Sequence, residues 1–85
     1  MKPKNGDLRV WWIPQIPMKP FRLKVASVEI AKLIINTLAY YDEFQFENNI
    51  KPDYCNMGGL EIFDGENWCE WHDDNYYDIN EILHL

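Results

Sequence analysis

Between Phe21 and Leu38 the spacing of apolar residues changes from every second position to every third or fourth. Phe21, Leu23 and Val25 alternate with Arg22 and Lys24, the pattern of a strand with one face against a core. Beyond Ser27, the residues Val28, Ala31, Ile34, Ile35 and Leu38 recur at helical spacing, and Ile30 and Leu33 broaden the stripe. Ser27 suits the N-cap, and Glu29 in the first turn complements the positive end of the helix dipole. The helix is expected to run to about Tyr41 and to pack on a sheet, with Asp42 to Asn48 either continuing it or forming a short further turn. A strand feeding a helix this abruptly restricts the fold to layers of sheet and helix.

The flanking segments complete the sheet. Leu8 to Ile13 (LRVWWI) is β-rich and stops at Pro14, and three prolines between Pro14 and Pro20 stiffen the connection to the next strand. These two strands are expected to pair antiparallel. If Arg9, Trp11 and Ile13 point outward, Trp11 lies among Arg9, Arg22 and Lys24. Gly59 to Phe63 and Asn67 to Trp71 predict a hairpin turning at Asp64-Gly65, with Leu60 and Ile62 on one face and Trp68, Glu70 and His72 pointing the other way from Cys69 and Trp71. Asp78 with Glu81 three residues later predicts a capped C-terminal helical turn, whose apolar stripe is Ile79, Ile82 and Leu83. The expected fold is α+β: an antiparallel sheet of about four strands in the order β-β-α-β-β, one packed helix and a short terminal helix. Residues 1–85 form one domain in this reading, with 73–85 peripheral.

The segment Phe44 to Gly59 (FQFENNIKPDYCNMGG) has neither period and joins helix to hairpin. Its amides, its rings, Pro52 and the pair Gly58-Gly59 mark it as a shaped loop, and long loops in small domains often carry function.

Charge is divided along the chain. Residues 1–26 carry a local charge of +5, residues 27–85 a charge of −11, and the whole −6. A dominant basic stripe is missing, which argues against a duplex nucleic acid partner. A smaller anion is a different matter: Arg9, Arg22 and Lys24 could bind phosphates, Trp11 could stack on a base, and Gln45, Asn48, Asn49, Tyr54 and Asn56 could read its edge. The rival surface is acidic. Eight carboxylates between Glu61 and Glu81 interleave with aromatics, and Trp68, Glu70, Trp71, Tyr76 and Tyr77 would suit docking on a basic protein. Four tryptophans and an apolar C-terminal stripe suggest a homo-oligomer.

Catalytic and metal patterns are weak. Cys69, His72, Cys55 and His84 lack the paired spacing of a zinc site. No histidine stands beside Cys55 in sequence to activate it. The carboxylate pairs Asp42-Glu43 and Asp73-Asp74 have no evident cleft. The reading is therefore non-enzymatic, with no catalytic residue, cofactor or metal. The N-terminal residues are polar, no apolar run nears the roughly 20 residues that span a bilayer, and two cysteines without a framework pattern point to free thiols. Those features predict a cytoplasmic protein without a membrane partner.

Residues 10–21 (VWWIPQIPMKPF) and 44–61 (FQFENNIKPDYCNMGGLE) resemble a family of small accessory proteins of tailed bacteriophages, some labelled as superinfection-exclusion proteins. The resemblance covers residues 9 to 71 and departs in the C-terminal tail. It implies an accessory product acting in the host cytoplasm against host defence, and it brings no catalytic residue. Two modes suit the residues: an oligomeric sponge that sequesters a nucleotide immune signal, and a protein that blocks a host or defence protein through its acidic-aromatic face.

Overall fold

A computed structural model describes residues 2–50 and 55–83 of the chain. Strands β1 (Leu8–Ile13), β2 (Phe21–Val25), β3 (Met57–Phe63) and β4 (Trp68–Glu70) form one sheet in the order β2-β1-β3-β4, every neighbouring pair antiparallel. Helix α1 (Val28–Glu47) crosses one face, and the short helix α2 (Ile79–Leu83) packs beside it against β3. The fold is the expected α+β one. Val10, Trp12, Val25 and Leu60 from the sheet meet Ala31 and Ile35 of α1 and Ile79 of α2 in the core.

Local chemistry accounts for the element ends. Ser27 Oγ accepts the Ile30 N–H at 3.2 Å. Asp78 and Glu81 form a reciprocal box: the Asp78 carboxylate accepts the Glu81 N–H at 2.9 Å, and the Glu81 carboxylate accepts the Asp78 N–H at 3.1 Å. In the β3–β4 turn Asp64 Oδ1 accepts two backbone N–H groups, from Glu66 at 2.8 Å and Asn67 at 2.7 Å. Those bonds hold the Asp64 carboxyl below the usual carboxylate range, and Gly65 supplies the positive φ of 105°. The stripe of α2 docks on the core through Ile79 and Leu83.

After Tyr41 the helix takes the first of its two expected courses, and the connector that follows is shorter than the sequence suggested. Helix α1 continues to Glu47 and takes up Phe44 to Glu47, while Met57, Gly58 and Gly59 belong to strand β3. The connector thus shortens from both ends, and residues 51–54 lie outside the described residues. The physical reason is Asp42. It lies on the core stripe and is only 3% exposed, and its Oδ2 accepts the indole N–H of Trp12 and the side-chain amide of Asn56, both at 2.9 Å. This clamp holds the second half of α1 against the sheet. The helix stops at Asn48, whose side chain and backbone N–H both donate to the Phe44 carbonyl, and Asn49 turns the chain at φ 61°. Phe44 and Phe46 are exposed and do not belong to the buried core.

The glycine pair has a matching role. Register sets Trp12 opposite Gly58 and Trp11 opposite Gly59. Successive residues of a strand face opposite ways, so each indole lies over one glycine on its own side of the sheet. A Cβ at Gly58 would run into the buried Trp12 ring and sit 2.9 Å from the Trp11 carbonyl; one at Gly59 would sit 2.5 Å from the Trp11 indole nitrogen. Trp12 is locked by Asp42, whereas Trp11 is half-exposed on the open face and can tilt away. Gly58→Ala should therefore cost about 3 kcal/mol and Gly59→Ala about 1 kcal/mol, read as urea midpoints at constant slope. Asp42→Ala leaves the buried Trp12 N–H without an acceptor and should cost about 2–3 kcal/mol; Asp42→Asn keeps an acceptor and should recover part of it.

The edge of β4 has an opposite electrostatic effect. The Glu70 carboxyl is pushed up, first by its hydrogen bond with Asp78, then by burial and the charges of Asp78 and Glu81. A raised carboxyl binds more protons folded than unfolded, so its ionisation weakens the fold as pH rises from the unfolded value through the folded one. Asp64 and Asp7 are lowered, so their support is present above the unfolded carboxylate pKa and fades in acid. Glu70→Gln should raise the melting temperature slightly near pH 7, with the gain shrinking towards about pH 5, in thermal scans across that range.

Candidate functional site

The sheet face away from α1 is assembled by alternation and strand order. Arg9 and Trp11 of β1 stand beside Lys24 and Arg22 of β2 and beside Glu61 and Gly59 of β3. Phe63 and Trp68 pair across β3 and β4 on the same face, their ring centroids 5.3 Å apart.

Arg9 is the hub. Its Nε donates to Glu61 Oε1 at 2.7 Å, and its guanidinium carbon lies 4.0 Å from the Trp68 ring centroid. One carboxylate and one ring therefore fix the plane of the guanidinium. Lys24 is drawn to Asp7 at 3.2 Å. The backbone N–H of Lys4 also donates to the Asp7 carboxylate, at 2.8 Å, and this bond with Lys24 holds the Asp7 carboxyl below its ordinary range. Arg22 has no carboxylate partner among the described residues. Together Arg9, Arg22, Lys24 and Trp68, with Lys2, Pro3 and Asp7, enclose an open cleft of about 450 Å³. Four cations against one lining carboxylate make it a basic cleft with one aromatic wall. It can take an anion with a flat apolar portion.

Three of the expected ligand residues, Arg9, Arg22 and Lys24, thus converge. Trp11 shares their face but lies over Gly59 rather than in the cleft wall. The expected amides do not join them. Asn56 bonds to Asp42 on the helix side of the sheet, Asn48 caps α1, Asn49 makes the turn after it, and Gln45 is half-buried on α1. Tyr54 lies outside the described residues. The single site expected from the sequence is divided by the sheet itself.

The acidic-aromatic residues divide too. Trp68 belongs to the basic cleft, while Trp71 packs on the core from the other face. Glu70, Tyr76 and Tyr77 are exposed. Tyr76 is 83% exposed at φ 65°, in a turn whose Asp73 carboxylate accepts the N–H groups of Asn75 and Tyr77. Both cysteines are free and exposed. The Cys69 thiol, bonded to Asp64, is pushed up, so its nucleophilic thiolate is disfavoured. Among the described residues no three His, Cys, Asp or Glu side chains converge on a metal-sized site.

Sequence reasoning missed Lys2, Asp7 and Glu61, and it assigned Trp68 to a different surface. Alternation along the hairpin does point Trp68 outward. That Arg9 lies beneath it requires β1 and β3 to be neighbours, which no local pattern states.

A protein of Salmonella phage P22 described as "Superinfection exclusion protein" is 46% identical, the match spanning 89% of this chain and 88% of that protein. No solved structure matches the chain. A family model described as "Superinfection exclusion gene product 17" matches residues 7–85. With nearly its whole length inside that match, the chain belongs to the superinfection exclusion gene product 17 family.

Proposed function

We propose that the protein acts in superinfection exclusion by occupying a target, without catalysing a reaction, and that its basic cleft is the occupying surface. The name of the phage P22 relative and the family description support the biological role. The convergence of Arg9, Arg22, Lys24 and Trp68 on one cleft carries the molecular reading. Its cations suit phosphates, its indole suits a base or other flat ring, and its volume suits a nucleotide-sized molecule. In this reading a nucleotide-type immune signal is held and withdrawn from a defence system in the host cytoplasm. No helix among the described residues is long and apolar enough to cross a membrane.

A second reading draws on Tyr76. A ring held out in solvent by a capped turn, next in sequence to Tyr77 and near Asp74, is suited to anchoring on a basic protein surface. The partner would then be a host or defence protein rather than a small molecule.

Thermal shift and native mass spectrometry with cyclic di- and trinucleotides and ADP-ribose separate the two. Under sequestration, a ligand at 100 times its Kd adds about 2.7 kcal/mol of stability. Arg22→Ala and Trp68→Ala should each weaken binding by about tenfold or more, and Tyr76→Ala should leave it unchanged. If no nucleotide binds at micromolar concentration, and Tyr76→Ala abolishes exclusion in cells challenged with a second phage, the protein-docking reading replaces it.

A further inference from the structure

The helix side of β2 is incompletely covered, and the exposure is graded. Val25 is 7% exposed, Leu23 40% and Phe21 54%, although all three point to the same face. The gradient follows from how α1 is tied. Its first turn is tethered to the end of β2 through Ser27, and its second half is clamped by Asp42 to Trp12 and Asn56, over β1 and towards β3. The helix therefore diverges from β2 as it runs, opening a wedge that widens towards Phe21.

The uncovered wall of α1 is apolar as well. Beside the core stripe of Ala31, Ile35 and Leu38, the helix carries Ile30, Leu33, Tyr41 and Phe44 on one flank, all exposed, with Leu33 at 67%, around Thr37, whose hydroxyl donates back to the Leu33 carbonyl. Lys32, Asn36 and Glu43 lie on the other flank. A surface helix ordinarily keeps one apolar stripe; this one keeps two. At roughly 200 Å² for a fully exposed large side chain, the six residues Phe21, Leu23, Ile30, Leu33, Tyr41 and Phe44 leave about 600 Å² of apolar area in water. That is the upper end for a monomer's largest patch. With a polar rim, it approaches the roughly 800 Å² per partner of a standard interface.

We propose that a second copy of this chain covers this surface, forming a two-fold dimer through the flank of α1 and the open face of β2. A two-fold interface must match itself. Of the three exposed faces, the basic cleft and the acidic C-terminal region would each meet their own charge; the α1–β2 surface, whose six residues carry none, meets apolar area. The copies join by helix-flank packing rather than by extending the sheet. Side by side at the β2 edge, Arg22 and Lys24 would oppose the same cations of the partner, the way natural edge strands resist pairing. The dimer leaves both basic clefts open on the far sheet face, so it stands independently of the nucleotide reading.

Sedimentation equilibrium or light scattering at graded concentrations of the full chain tests this. The expected mass is twice the 10.2 kDa of the chain. Leu33→Glu and Phe44→Glu, both at exposed helix positions, should halve it while leaving the far-ultraviolet circular dichroism unchanged. Leu33→Met, which keeps the apolar surface, should remain dimeric. A wild-type monomer at several hundred micromolar overturns the proposal, including one that instead floats with neutral phosphatidylcholine vesicles. Dimers that persist in both glutamate variants overturn it too, because the interface would then lie elsewhere.

Discussion

The fold depends on one buried contact, the Trp12 indole between the Asp42 carboxylate and the bare backbone of Gly58. A tryptophan gains from burying its ring but must find an acceptor for its N–H. A buried carboxylate is tolerable only when hydrogen-bonded. Each group here resolves the other's problem, and Asn56 donates to the same oxygen. Through this contact the helix, the central strand and the approach to β3 become one unit. The length of α1, the shortened connector and the diverging course of the helix over the sheet all follow.

The tandem tryptophans and tandem glycines extend that logic to the other face. Strand alternation sends Trp11 and Trp12 to opposite sides, and each meets a position where the neighbouring strand has no side chain. The outer indole thus lies low over β3, and the long side chains around it are free to organise electrostatically. Arg9 is oriented by Glu61 and Trp68, Lys24 by Asp7, and Arg22 remains without a carboxylate among the described residues. Folding only partly neutralises the two oppositely charged halves of the chain. Arg9 alone is paired with a carboxylate of the acidic half, Glu61, while Lys24 pairs with Asp7 of its own half, and a net basic cleft persists on a protein of charge −6. Such local reversal of sign focuses the field where an anion would bind.

Membership of a superinfection exclusion family gives this geometry its biological setting. The three exposed surfaces are chemically distinct: a basic-aromatic cleft on the open sheet face, an acidic turn presenting Tyr76, and an apolar wedge between α1 and β2. A small chain that acts by occupation needs a surface for its target, and one that assembles needs a second. The separation of these surfaces around a single sheet allows both at once.

Much of the fold was legible because it rests on local rules. The periodicities of Phe21 to Leu38, the Ser27 cap, the Asp64-Gly65 turn and the Asp78–Glu81 box need no information beyond a few neighbouring residues, and they determine strands, helices and their ends. Period two alone puts Arg22 and Lys24 on the outward face of β2, whereas in β1 it groups Arg9 with Trp11 without deciding which face is outward. Asp42 left a trace, a charge set on the apolar stripe of α1, but its partners lie 30 and 14 residues away. Of the strand pairings, β1–β2 and β3–β4 were legible, but the central β1–β3 pairing that sets the strand order was not. It is decided by which faces the helix can cover and by which backbone the indoles can approach, and both are properties of the assembled layers. Only that order brings Trp68 over Arg9, puts the expected amides behind the sheet, and leaves β2 uncovered at the edge. The sequence by itself determined the elements and which residues share a face; the tertiary packing decided which face of β1 is buried and which outer residues became neighbours.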